Sequence, residues 1–238
     1  MICKKNFREL FRNEFIGNSC CIVGAGPSLN ETNPKFFHSM PCFAVNSAIL
    51  KMEWEKDGDY ERFWVSNDAL CLRWSYWDRV VSSKCNIVVR DSWLKHEDII
   101  PKRSNFFTAR KSNTELDDID EGLCYCSSVP TCIDMAIKFK FSVIYLFGID
   151  HNESNHGYFW SSWDKSRKPM QVVDYSRERK FLTQPVTLVE PRNQRSIVWN
   201  ENKKCFDALS IYANSKNVKI YNMNPKSSIS SFEFYSHA

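Results

Sequence analysis

The stretch Cys20-Cys21-Ile22-Val23-Gly24-Ala25-Gly26-Pro27-Ser28-Leu29 decides the fold. Four uninterrupted apolar residues predict a buried strand, and the two glycines after them permit a tight turn and a close backbone approach. Pro27 presets φ for a first helical position, where its missing N–H costs nothing. Strand, turn and helix start together form the opening of a βα unit, whose free N–H groups offer a seat for an anion. Gly24, Gly26, Pro27 and Ser28 are therefore expected to bind the phosphates of a nucleotide, with a purely structural turn as the competing reading. Leu29 stands where a dinucleotide fingerprint has its third glycine, so a nucleotide is expected rather than NAD.

Working outward, short apolar runs recur at Cys42–Val45, Phe63–Val65, Asn86–Val89, Phe106–Thr108, Val143–Phe147 and Val218–Tyr221. Runs this continuous predict strands covered on both faces. Helical patterns lie between them, at Asn33 to Met40, Ala69 to Ser82, Val129 to Phe139 and Asn202 to Ser215. A short amphipathic helix is expected at Lys5 to Ile16, from the spacing of Phe7, Leu10, Phe11 and Phe15. Strand alternating with helix predicts an α/β, Rossmann-like doubly wound fold, with a mostly parallel sheet and helices on both faces. At 238 residues the chain is expected to form a single nucleotide-binding domain over 1–238. Residues 151 to 199 are loop-rich and carry Tyr158, Phe159, Trp160, Trp163 and Tyr175. They are expected to be a lid that orders over ligand, the competing reading being aromatics that simply pack onto the core.

The net charge of +4 is mild and no run of five like charges occurs, which argues against a nucleic-acid groove and suits a handler of small anions or an ordinary surface. Ten cysteines, several inside expected strands, read as reduced and buried, so a cytoplasmic location is expected. Cys124, Cys126 and Cys132 lack the paired spacing of a zinc site. No stretch reaches the roughly 18 apolar residues of a transmembrane segment, and Met1 to Asn13 has no apolar signal core.

In a doubly wound sheet the ligand lies beyond the carboxyl ends of the strands. Asn46 and Ser47, then Ser66-Asn67-Asp68, Gly148-Ile149-Asp150-His151-Asn152 and Asn222-Met223-Asn224-Pro225 all fall there. Each alone reads as a turn or cap, but together they form a polar edge. Asp68 and Asp150 are the candidate Mg²⁺ ligands beside a phosphate, or else helix caps. Ser127 and Ser128 open the helix before the Val143 strand and present hydroxyls and N–H groups, a plain N-cap being the simpler role for Ser128. His151 and His156 are candidate general acids or bases because imidazole titrates near neutrality, although a loop histidine is often just exposed.

These residues also carry a resemblance. Ile22–Leu29, Ala44-Val45-Asn46, Ser127–Val129, Ile144–Asp150 and Val218–Asn222 with Pro225 resemble, in order and over roughly residues 19 to 235, one superfamily. It contains the bacterial family-42 sialyltransferases and the domain shared by archaeal 6-hydroxymethyl-dihydropterin pyrophosphokinase and the motility accessory factors that glycosylate flagellin. The sialyltransferase branch implies that Gly24, Gly26, Pro27, Ser28, Asn46, Ser127 and Ser128 surround a cytidine nucleotide, and Tyr158 falls where a tyrosine of that family approaches the phosphate. The catalytic histidine of that branch precedes the helix to the last strand, where this chain reads Val198-Trp199-Asn200-Glu201-Asn202, so His151 or His156 would have to substitute. Gly148-Ile149-Asp150-His151 is closer to the pyrophosphokinase branch, which implies a nucleoside triphosphate, Mg²⁺ and diphosphate transfer.

The leading expectation is thus a pyrophosphokinase-like, nucleotide-dependent transferase, with Asp150, His151, Asp68 and Tyr158 as catalytic candidates. The alternative is a glycosyltransferase using a CMP-sugar donor without metal. A third reading is a nucleotide-binding protein without catalysis. Each implies a nucleotide partner, the two enzymes add a small-molecule or glycan acceptor, and a homo-oligomer is compatible with all three.

Overall fold

The computed structural model describes residues 15–52, 54, 60–91, 93, 106–111, 123–124, 127–151, 157–169, 172–174, 180–181 and 192–235. Residues 5–14 of the expected first helix lie outside them. In chain order the elements are β1 (Ser19–Val23), β2 (Cys42–Val45), β3 (Arg62–Ser66), α1 (Trp77–Ser82), β4 (Asn86–Arg90), β5 (Phe106–Lys111) and β6 (Leu123–Cys124). There follow α2 (Ser128–Lys138), β7 (Val143–Phe147), β8 (Val172–Asp174), β9 (Lys180–Phe181), α3 (Arg192–Ser215), β10 (Lys219–Asn222) and β11 (Glu233–Phe234).

Among the described residues the main sheet runs β11-β10-β7-β1-β2-β3-β4-β5-β6 and is parallel at every pairing, while β8 and β9 form a separate antiparallel pair. The apolar runs explain this: β1, β2 and the centre of β3 are buried on both faces, as parallel strands between layers must be. In-register neighbours point the same way, so Ile22, Phe43, Phe63, Leu146 and Ile220 share one face, and Cys21, Val23, Ala44, Trp64 and Phe147 share the other. On the first face α2 contributes Ile133, Ala136 and Ile137, and α3 contributes Phe206, Leu209 and Ala213. The second face is covered by α1 and by single 3-10 turns, which supply Phe37, Ile49, Leu72 and Trp77.

The two layers are therefore unequal, and three expected helices differ in form. Asn33 to Met40 is a 3-10 turn, Pro34–His38, whose start is capped by the Asn33 side chain accepting from Lys35 N at 3.0 Å. Ala69 to Ser82 divides into a 3-10 turn, Ala69–Arg73, and α1; between them Trp74 and Tyr76 stack at 6.1 Å, and Tyr76 enters the core together with Trp77. The helix expected from Asn202 begins at Arg192. Inside α2 one ion pair is wholly buried: Lys138 Nζ donates to Asp134 Oδ2 at 2.8 Å, one turn apart.

From β1 the chain steps outward through β2 to β6, then returns to place β7 on the other side of β1. The order reverses between β1 and β7, the place where such sheets open a crevice at their carboxyl edge.

Candidate functional site

At that reversal the first turn and the loop after β7 interlock. Gly24 N donates to Phe147 O at 2.7 Å and Gly26 N to Gly148 O at 2.8 Å. A Cβ on Gly24 would lie 2.6 Å from Gly148 O, and one on Gly26 would collide with the Asp150 carboxylate. The close approach that the glycines permit is thus that of the chain's own β7 loop. Pro27–Asn30 forms a 3-10 turn, and Ser28 donates to Asp150 from its N–H at 3.2 Å and from Oγ at 3.0 Å. Asn224 Nδ2 adds a third donor at 3.0 Å. The amide expected to face a phosphate therefore faces Asp150. Burial raises the Asp150 pKa above the usual carboxylate value, opposed by the Ser28 donors.

Asp68 is exposed beyond β3, in a local turn where its N–H donates to Ser66 Oγ at 3.3 Å. Among the described residues no group of three or more His, Cys, Asp or Glu side chains is placed to hold a metal ion. With Asp150 held by three donors and Asp68 on a separate turn, the donor set does not fit the Mg²⁺ pair expected from the sequence.

A second group ties β3 to the start of α2. Asn67 N donates to Ser128 Oγ at 2.9 Å, and Asn67 Nδ2 donates to Ser127 O at 3.0 Å and Thr131 Oγ1 at 2.9 Å. Ser127, not Ser128, occupies the N-cap position, and its hydroxyl donates to Asn202 Oδ1 of α3 at 2.7 Å instead of capping. Asn46 takes a left-handed backbone, φ 51°, with its carbonyl accepting from Trp64 Nε1 at 2.8 Å. Beside it Cys71 Sγ receives Ser66 Oγ at 3.1 Å and Tyr76 OH at 3.2 Å, and burial pushes this thiol up to about 12.

His151 follows the β7 loop with φ 41°, a left-handed conformation that costs energy outside glycine and asparagine. Its ring stacks on Trp199 at 4.4 Å and meets Phe206 edge-on at 5.7 Å. Nε2 is buried with no hydrogen-bond partner, and burial lowers the imidazole pKa. Trp199, Asn202 and Phe206 recur at helical spacing on one face of α3, so that face meets both His151 and Ser127. Sequence reasoning noted only that Val198 to Asn202 lacks a histidine. The signal for Trp199 and Asn202 was their spacing to Phe206, which marks an inward face.

Tyr158 is exposed and stacks flat on Trp160 at 4.8 Å, while Trp160 Nε1 donates to Ser47 Oγ at 3.0 Å. Phe159 N donates to Ala25 O at 3.0 Å, and Phe159 and Trp160 are buried in the second-face core. Phe159 and Trp160 are thus part of the core beside the first turn, while Tyr158 stays exposed. Tyr175 and His156 lie outside the described residues.

The described fold resembles that of Cst-I, a monofunctional alpha-2,3-sialyltransferase from Campylobacter jejuni: 15% identity, 94% of this chain and 83% of that one covered, TM-score 0.50. The two share a fold. CstII, a sialyltransferase from the same organism, gives 13% identity over 92% of this chain and 85% of that one at a TM-score of 0.45, with a substrate analogue, cytidine-5'-monophosphate, in its structure. An alanine variant of that enzyme in complex with CMP gives 13% identity, 91% and 86% coverage, and a TM-score of 0.47. No family model matches the sequence, and no curated protein matches it.

Proposed function

We propose that the chain is a glycosyltransferase that takes its sugar from a CMP-activated donor and uses His151 as general base. The observation that carries this reading is the His151 ring clamped between Trp199 and Phe206 with Nε2 lacking a partner. The sialyltransferase resemblance calls for a histidine before the helix to the last strand; α3 begins at Arg192, so Trp199 lies within that helix, and His151 is taken as the substitute because its ring packs on α3. The Cst-I fold agrees with this branch.

In the reaction an acceptor hydroxyl attacks the anomeric carbon of the donor, the bond from that carbon to the phosphate oxygen breaks, and CMP leaves with the electron pair. The hydroxyl proton passes to Nε2, which is neutral at pH 7 because burial disfavours its charged form. Asn46, Ser127, Ser128 and Tyr158 are the groups assigned to the nucleotide and its departing phosphate; Gly24, Gly26 and Pro27 shape the adjoining turn. Asp150 is a positioning residue, holding the first turn to the loop that carries His151.

Calorimetric titration with CMP, a CMP-sugar and ATP, each with and without Mg²⁺, tests the nucleotide. Metal-indifferent CMP binding is expected, with CMP release from the sugar donor lost in His151→Ala while CMP still binds. Mg²⁺-dependent binding of the triphosphate alone would return the chain to diphosphate transfer, and no binding would leave a fold without this chemistry.

A further inference from the structure

Asn46 is half-buried at the carboxyl end of β2, in the left-handed backbone region that asparagine enters more readily than most residues. Residues from well down the chain hold it there. Its carbonyl accepts from Trp64 Nε1 at 2.8 Å, and its side-chain Oδ1 accepts from Cys71 Sγ at 3.5 Å, a contact length that the larger sulfur atom permits. Cys71 is itself buried, and its sulfur receives the hydroxyls of Ser66 and Tyr76. An apolar side chain of the same size would fill that space equally well, but it would strand both hydroxyls.

This network decides which way the Asn46 amide points. With two hydroxyls donating to it, the sulfur has its own hydrogen left to give, and Asn46 Oδ1 is the acceptor within reach. A reversed amide would bring a third donor to the sulfur and leave the S–H without an acceptor. Burial raises the Cys71 pKa to about 12 and that of the Tyr76 phenol as well, so both groups keep their protons at neutral pH. The Asn46 side chain is left with its Nδ2 hydrogens to offer, which have no acceptor among the described residues.

We propose that Cys71 is a positioning residue of the nucleotide site, its thiol locking the Asn46 amide so that Nδ2 donates to an acceptor oxygen of the nucleotide. The inference rests on the reading of Asn46 as a nucleotide ligand and adds what sets its orientation.

CMP titration calorimetry on a double-mutant cycle tests it. Cys71→Ala is expected to weaken CMP binding about 5-fold, the worth of one hydrogen bond, and Cys71→Ser, which keeps a donor, to recover most of that loss. Added to Asn46→Ala, the Cys71→Ala change should weaken binding no further, because its effect passes through the amide. The infrared S–H stretch reads the hydrogen bond without any nucleotide. The band that Cys71→Ser removes is expected to move to higher frequency in Asn46→Ala, where the thiol has lost its acceptor. A wild type that binds no CMP ends the transferase reading and this inference with it. Where the wild type does bind CMP, any of four results overturns this inference alone: equal affinity in Cys71→Ala, no recovery in Cys71→Ser, a further loss on top of Asn46→Ala, or an S–H band that Asn46→Ala leaves in place.

Discussion

A carboxylate that folds back onto the chain's own glycine turn changes what that turn can bind. The glycines were legible in the sequence because only a residue without Cβ permits such an approach. What approaches was not, since Asp150 arrives from 122 positions beyond Ser28. Gly26→Ala would push a methyl group into Asp150 and separate it from Ser28. The expected cost is about 2 kcal/mol of stability, read by denaturant titration, with a weaker loss for Asp150→Asn, which keeps the acceptor at Oδ1. His151 was legible by type and position, but its aromatic clamp depends on a helix that begins before its apolar pattern does. Because burial lowers its pKa, the folded state binds this proton less readily than the unfolded chain does. Stability is therefore expected to fall as pH drops below the ordinary imidazole value of 6.5. His151→Phe, which keeps the stack, should flatten that slope. The acid limb of kcat/KM is expected below pH 6.5 for the same reason.

At the scale of elements, strands were easier to read than helices. Every expected strand is present, because a buried parallel strand is a short apolar run with nothing to confuse it. Helices failed where the cover is thin: Pro34–His38 and Ala69–Arg73 are single 3-10 turns that need only one or two apolar residues to close the core. The start of α3 was hidden because Arg192-Asn193-Gln194-Arg195-Ser196 carries no apolar period. In α2 the Lys138–Asp134 pair gives a sharp test, since each charge is buried against the other. Asp134→Ala should cost about 3–5 kcal/mol by removing the carboxylate that offsets the buried Lys138 charge, whereas Asp134→Leu with Lys138→Met should be close to neutral or stabilising. Thermal melts of the three proteins check the ordering.

For the molecule as a whole, the alternation of strand and helix was enough to give the parallel sheet, but not the order β11-β10-β7-β1-β2-β3-β4-β5-β6 in which its strands stand. That order depends on pairings between strands far apart in the chain, which no local pattern records. If the chain is one domain, as its length suggests, heat should unfold it in a single transition with equal calorimetric and van't Hoff enthalpies. Hydrogen exchange should then grade outward: amides of β1, paired on both sides, should open only with global unfolding, and those of β11 should exchange through local opening. The central place of β1 also bears on how the chain is made. One neighbour, β2, follows within a short distance, but the other, β7, is translated only from Val143 onward. Until then the edge of β1 that will pair with β7 presents a row of unpaired backbone groups to whatever it meets. A nascent chain stalled before Val143, rather than the finished protein, is the species that chaperones must shield from aggregation.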